Sequence, residues 1–275
     1  MPPIPTRIRL PRGALVAALF GVFAGPPAAA AADADPLFAH SALYVVQLRS
    51  PTTGIAQANG AAATTMERTC DGWISTSRMT TELTTEDGQV VRMDARLSGW
   101  ESVDGTAYRF VASSQFADDK ESFKGSAVSQ GPSGPAKVDY TVPGAASLAL
   151  PDGTLFPVAH LRHLIARALA GERMVTAVTF DGTEAIGPRL ATAFIRPAPK
   201  PDADLAAKLG SHAADAAWNI RIAYFPTDGS SLMPDFEVEV LQLQSGIAAA
   251  IVADYPDFAI VLHLQSIEAL DAPHC

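Results

Sequence analysis

Four Asp-Gly pairs, Asp87-Gly88, Asp104-Gly105, Asp181-Gly182 and Asp228-Gly229, stand between strand-like runs of the chain. Asp-Gly tolerates the positive φ of a tight hairpin, and a period of two turns one face of a strand to the core and the other to water. The alternation is explicit over 90–100, where Val91, Met93, Ala95 and Leu97 alternate with Arg92, Asp94, Arg96 and Ser98. The next run sets Tyr108, Phe110, Ala112 and Phe116 opposite Arg109, Ser113 and Gln115. A chain punctuated in this way folds as an antiparallel meander. From Asp71-Gly72 through Asp87-Gly88 to Asp104-Gly105 the turns lie 16 and 17 residues apart, which leaves room for strands of about 14 residues, roughly 45 Å long. Strands of that length coil or bulge, and Gly99 is the expected place. Runs 218–225, 236–243, 247–254 and 258–267 predict four more strands, with Pro226, Pro234 and Pro256 at their ends.

One segment departs from the period of two. Over 157–171 the residues Val158, Leu161, Leu164, Ile165, Ala168 and Leu169 recur at helical spacing, Pro157 suits a first turn, and Gly171 suits a left-handed cap. A helix midway through a meander lies most simply against or inside the curved sheet. The stretch 197–217, rich in Pro, Ala and Asp, reads as a connection with a short helix. The fold class is therefore all-β, mainly antiparallel, with one main α-helix.

The first residues predict export. Arg7, Arg9 and Arg12 precede an apolar run over 14–23 that is too short to span a bilayer, and small residues follow at 28–32. Residues 1–32 read as a signal peptide, cut after the Ala-x-Ala of Ala30 and Ala32, with 33–275 as a single domain. The remainder carries 17 Lys+Arg against 29 Asp+Glu, net about −12, a balance that argues against a sequence-blind grip on nucleic acid. No later run of 18 apolar residues is present to cross a membrane as a helix.

The chain has two cysteines, Cys70 and Cys275. In an oxidising compartment an even pair is expected to bond, and two allow one intramolecular connectivity. Closing a loop of 205 residues restricts the unfolded chain by roughly 5 kcal/mol in the chain-entropy account. A redox pair or a metal site is the rival reading, weakened by the absence of CxxC spacing and by a thiolate site's need for more than two ligands.

Catalytic motifs are sparse. There is no Gly-x-Ser-x-Gly, no Ser-x-x-Lys and no phosphate-binding glycine loop. His160 and His163 fall at i and i+3 on the predicted helix, but with Arg162 and Arg167 beside them they read as a solvated cationic face before a zinc site. His263 reads as a tolerated strand residue. Glu237 and Glu239 share a strand face, and Asp254, Asp257 and Glu268 lie near strand ends, where acids usually solubilise. No cofactor or metal is expected. Trp73, Trp100, Tyr108, Phe110 and Phe116 gather in neighbouring strands and form a possible ligand cleft for an acyl chain or a peptide; ordinary core is the competing reading. An outer-membrane barrel is disfavoured by the mid-chain helix, by 7% aromatic content and by the Cys pair.

Several stretches resemble the EipB-type cell-envelope integrity family of alphaproteobacteria, long described as a domain of unknown function. They are His40-Ser41-Ala42-Leu43-Tyr44, Cys70-Asp71-Gly72-Trp73, Trp100-Glu101-Ser102-Val103-Asp104-Gly105 with Tyr108-Arg109-Phe110, Leu155-Phe156-Pro157-Val158-Ala159-His160, Phe180-Asp181-Gly182 and Asp254-Tyr255-Pro256-Asp257-Phe258, together with Ile267-Glu268-Ala269-Leu270 before Pro273 and Cys275. The resemblance runs in order over the mature chain. It implies a periplasmic protein whose strands wind into an open spiral or partial β-barrel around a helix, stapled by a cystine at Cys70 and Cys275. It also implies a non-enzymatic role in envelope integrity under stress, exercised through a protein, peptide or lipid partner. A lipid or lipoprotein carrier is the alternative. Two departures stand out: Ser41 replaces the family's usual Arg, and Ser245-Gly246 its common Asn-Gly.

Overall fold

Where the alternation is strongest the chain forms long strands, and where it lapses the chain still pairs. A computed structural model describes residues 37–49, 54–131, 134–183, 187–255, 258–271, 273 and 275. The expected signal peptide, and with it Pro256, Asp257 and His274, lies outside the described residues. The first meander comprises β1 (His40–Leu48), β2 (Ile55–Arg68), β3 (Gly72–Thr85), β4 (Val90–Ser102), β5 (Ala107–Phe116), β6 (Asp119–Ser129), β7 (Ala136–Val142) and β8 (Ala146–Leu150). Helix α1 (Pro157–Leu169) follows, and then β9 (Met174–Thr179) and β10 (Arg189–Pro197). Helix α2 (Ala203–Leu209) runs into a 3₁₀ turn (Gly210–Ala214), and β11 (Ala217–Pro226), β12 (Phe236–Leu243), β13 (Ala248–Asp254) and β14 (Ala259–Ala269) complete the chain.

All fourteen strands belong to one antiparallel sheet, ordered β8-β7-β6-β5-β4-β3-β2-β1-β14-β13-β12-β11-β10-β9. The first strand, β1, lies in the middle of the sheet, and successive strands step outward to β8. It crosses through α1 to the far edge and returns from β9 to β14, which pairs with β1. The sheet is not closed by a ladder between its end strands, which are β8 and β9. Side chains bridge the two ends instead. Phe180, next after β9, packs edge-on against Phe110 of β5 and Tyr140 of β7, with ring centroids 5.6 and 6.3 Å apart.

The four Asp-Gly turns carry glycines at positive φ, between 69° and 84°, as the type of turn requires. Gly99 is a correction: β4 keeps its register through Gly99 on both sides, and the bulges fall at Leu43/Tyr44, Ile55/Gln57, Lys124/Gly125 and Leu241/Gln242. What Gly99 provides is room. A Cβ there would stand 2.6 Å from the Tyr108 ring, and one at Gly125 would stand 2.8 Å from the Phe110 ring.

Helix α1 lies against the inner face of both meanders. Val158 and Ile165 pack with Leu37 and Trp73, while Leu164 and Ala168 pack with Ala191, Ile195, Trp218 and Ile220 of β10 and β11. Burying such aliphatic side chains is worth about 1.5–3 kcal/mol each. Leu209 of α2 joins a separate cluster with Tyr44, Val46, Leu83 and Ile260. At one end of the sheet, Cys70 in the β2–β3 turn is disulfide-bonded to Cys275, with Cα atoms 5.7 Å apart.

Candidate functional site

The alternation of β4 continues past Leu97, so Gly99 and Glu101 face inward and Trp100 faces out. Glu101 is 1% exposed. Its two oxygens accept from the backbone N–H groups of Val158 and Ala159, both at 2.7 Å. These are first-turn donors of α1, whose N-cap residue Phe156 supplies no side-chain acceptor, so a strand carboxylate satisfies them in place of a local cap. Burial pushes the Glu101 carboxyl up to about 7, against the pull of the two N–H donors and the Arg162 charge. Arg162 in turn donates to the Val103 carbonyl at 2.9 Å, next to the hairpin that joins β4 to β5.

The expected cationic face of α1 is only partly as predicted. Desolvation, with repulsion from His163, pushes the His160 imidazole down to about 4, so His160 is neutral near pH 7 and is not a solvated cation. His163 is lowered by burial and by Arg167, and Arg167 pairs with Glu172 at 2.8 Å. The acids singled out in the sequence do not converge. Glu237 is held by Arg221, and Asp254 lies 4.0 Å from Arg49. His263 is exposed on β14, opposite Val45 and Ala250. Among the described residues no three His, Cys, Asp or Glu gather as a metal site. A His-acid pair does occur: His212 Nδ1 lies 2.9 Å from Asp215. Its ring packs 4.3 Å from that of Phe38, and among the described residues no hydroxyl bonds to it.

The five aromatic residues do not line one cleft. Trp73, Tyr108 and Phe110 are at most 2% exposed on the inner face. Tyr108 stacks with Phe110 and Phe156, centroids 5.6 and 5.5 Å away, and donates to the Asp181 carbonyl at 2.9 Å. Burial, with the nearby Asp181 and Glu101 charges, pushes its hydroxyl pKa up. Phe116 is half exposed, at the far end of β5. Trp100 borders an open groove of about 500 Å³ on the outer face, which Phe110 also lines.

The register explains that groove. Gly99, Phe110 and Gly125 form a row straight across β4, β5 and β6 whose side-chain positions point inward, leaving backbone as the floor. One wall is the row Ile74, Trp100, Arg109 and Ser126, and the other includes Ser98, Val111 and Lys124. The Arg109 guanidinium sits 5.0 Å from the Trp100 ring centroid, an arrangement that holds the cation in place without neutralising it. Neither Arg109 nor Lys124 was a sequence-level candidate. Their phase opposite Tyr108 and Phe123 is the signal that places them on the outer face.

Comparisons with known proteins follow the same outline. The profile of the EipB-like family matches residues 31–271. Cell envelope integrity protein EipB of Brucella abortus (strain 2308) is 28% identical over 264 residues, covering 90% of this chain and 89% of its own length. A crystal structure of a β-barrel-like protein of a domain of unknown function, also from Brucella abortus, has a TM-score of 0.78 at 24% identity, over 86% of this chain and 99% of its own. That last likeness is one of fold.

Proposed function

The chain belongs to the EipB-like family, and from that premise we propose that it maintains cell-envelope integrity as an exported, non-enzymatic periplasmic protein that acts by binding a partner. The observation that carries the reading is the resemblance, over 90% of the chain, to a protein named for envelope integrity. The basic, apolar-rich start of the sequence supports export. The scatter of the His and acid side chains supports binding over turnover. A lipid carrier would need an apolar cradle on the concave face of the sheet. Val158, Leu164, Ile165 and Ala168 of α1 pack against that face, which turns the reading toward contact on the outer surface.

The test is a deletion strain challenged with detergents and cell-wall antibiotics. Sensitisation that is reversed by the full chain, and not by a chain lacking residues 1–32, is expected. Normal growth of the deletion strain under every challenge would count decisively against the role.

A further inference from the structure

We propose that the outer-face groove beside Trp100 binds an extended acidic peptide segment carrying an aromatic or branched apolar residue. The inference rests on the partner-binding reading above and names the chemistry of that partner. Four features of the groove carry it.

The first is charge. The chain is acidic overall, net −9, yet Arg109 and Lys124 have no carboxylate within 4.0 Å among the described residues. Of the other arginines of this face, Arg92 pairs with Glu82 at 2.7 Å and Arg96 with Asp94 at 2.9 Å, while Arg78, opposite Arg96, has no carboxylate within 4.0 Å among the described residues. Acids therefore offset part of the positive charge at the far end of the face and none of it at Arg109 and Lys124. The acid nearest to Arg109 by register, Asp139, opposite Ser126 on β7, is taken by Lys137 at 2.8 Å, and Glu67 stands opposite Ile74 at the β2 end.

The second is orientation. Stacking on Trp100 fixes the Arg109 plane, so its N–H groups are presented to a carboxylate with little rotamer entropy left to lose. The third is apolar contact. Val111 is 51% exposed and lies with Ile74 and the Trp100 ring along the same trench, a composition that suits a side chain and not a free inorganic anion. The fourth is shape. The trench runs across the strands from β3 to β7, about 19 Å at 4.8 Å per strand, a length spanned by roughly six extended residues. An anionic membrane would instead select cations on a broad protruding surface, whereas these two are set into opposite walls of a trench.

Selection from a randomised decapeptide phage library against the disulfide-bonded protein tests the proposal. Enriched sequences are expected to carry at least two Asp or Glu flanking an aromatic or branched residue. The enriched peptide, synthesised with a fluorescent label, should bind saturably and weaken with added salt. Arg109→Glu/Lys124→Glu should weaken it at least about tenfold, and Trp100→Ala about tenfold. All three side chains face solvent, and circular dichroism with intact mass verifies that the variants fold with the cystine formed. No enrichment, acid-free sequences, or unchanged affinity for the double variant would overturn the proposal, as would capture by phosphatidylglycerol vesicles without peptide binding. Returning the double variant to the deletion strain separates the two readings. Full restoration of detergent resistance by a variant that no longer binds the peptide overturns the groove and leaves the envelope role standing; failure of the unaltered chain to restore it overturns the role.

Discussion

At the start of α2 the side chain of Asp202 accepts from the Leu205 N–H, three residues along the same chain. At the start of α1 the acceptor is Glu101, a strand residue 57 positions before Val158. Both satisfy orphan N–H groups, but the consequences differ. Asp202 is exposed, so water can replace it, and the cap concerns α2 alone. Glu101 is buried, so nothing replaces it, and its two hydrogen bonds join the helix to the first meander while apolar packing joins it to the second. A local cap ends a helix, whereas a remote one also fixes where the helix docks.

The largest expected effect tests whether both helices share one cooperative unit. Cys70→Ser/Cys275→Ser removes the clasp of the 205-residue loop and is expected to cost about 5 kcal/mol. Urea unfolding followed by far-ultraviolet circular dichroism and tryptophan fluorescence should still give coincident transitions; α2 melting ahead of α1 would break the comparison. Next comes Glu101→Ala. It leaves two buried donors unpaired and opens a cavity, at an expected cost of about 4 kcal/mol. Glu101→Gln, which keeps an acceptor, should cost less than half of that. Equal losses for Ala and Gln would mean that the carboxylate is not the cap.

Much of this arrangement is written in local features of the sequence. Strands β3 and β4, the helix with its Pro157 start and Gly171 end, and the cystine are all legible, because turn chemistry, periodicity and cysteine count are local or countable signals. Glu101 was legible too. Two more steps of the alternation Met93, Ala95, Leu97 reach Gly99 and Glu101, and the same phase sends Trp100 outward, away from Tyr108 and Phe110. Neighbouring strands bring these aromatics together, and strand phase separates the core residues from Trp100 at the groove. The identity of the donors opposite Glu101 lies beyond the sequence, as does the packing of Phe180 on Phe110, because each depends on where a crossover helix and a distant edge strand come to rest. The pairing of β1 with β14 belongs to the same class.

A third prediction sharpens the contrast through pH. Folding raises the Glu101 carboxyl from 4.5 to about 7, so its contribution to stability is complete below pH 4.5 and lost as pH rises through 7. His160 runs the other way. Lowered from 6.5 to about 4, it contributes fully above pH 6.5 and loses that contribution as pH falls through 4. Each excursion is worth about 3 kcal/mol, and between pH 4.5 and 6.5 the two nearly cancel. Relative to the unaltered protein, Glu101→Gln should therefore gain stability from pH 5 to 7.5, and His160→Gln should lose it over the same interval. Urea midpoints at four pH values would measure both differences. Parallel profiles for all three proteins would remove the titrating carboxylate from the account of α1.

The smallest effect belongs to α2. Asp202→Ala should cost about 1 kcal/mol, and Asp202→Asn only a few tenths, with no change in the pH profile that Glu101 and His160 set. The loss should be local. Hydrogen exchange at the Leu205 and Ala206 amides should quicken, since Leu205 loses its acceptor and Ala206 depends on the Asp202 carbonyl to hold the first turn. The Val158 and Ala159 amides should stay as protected as before, because their acceptor sits on a strand that α2 does not hold. If the Asp202 substitution loosened those amides as well, the two caps would be coupled through the cluster around Leu209, and the distinction between a helix that is merely ended and one that is docked would not hold.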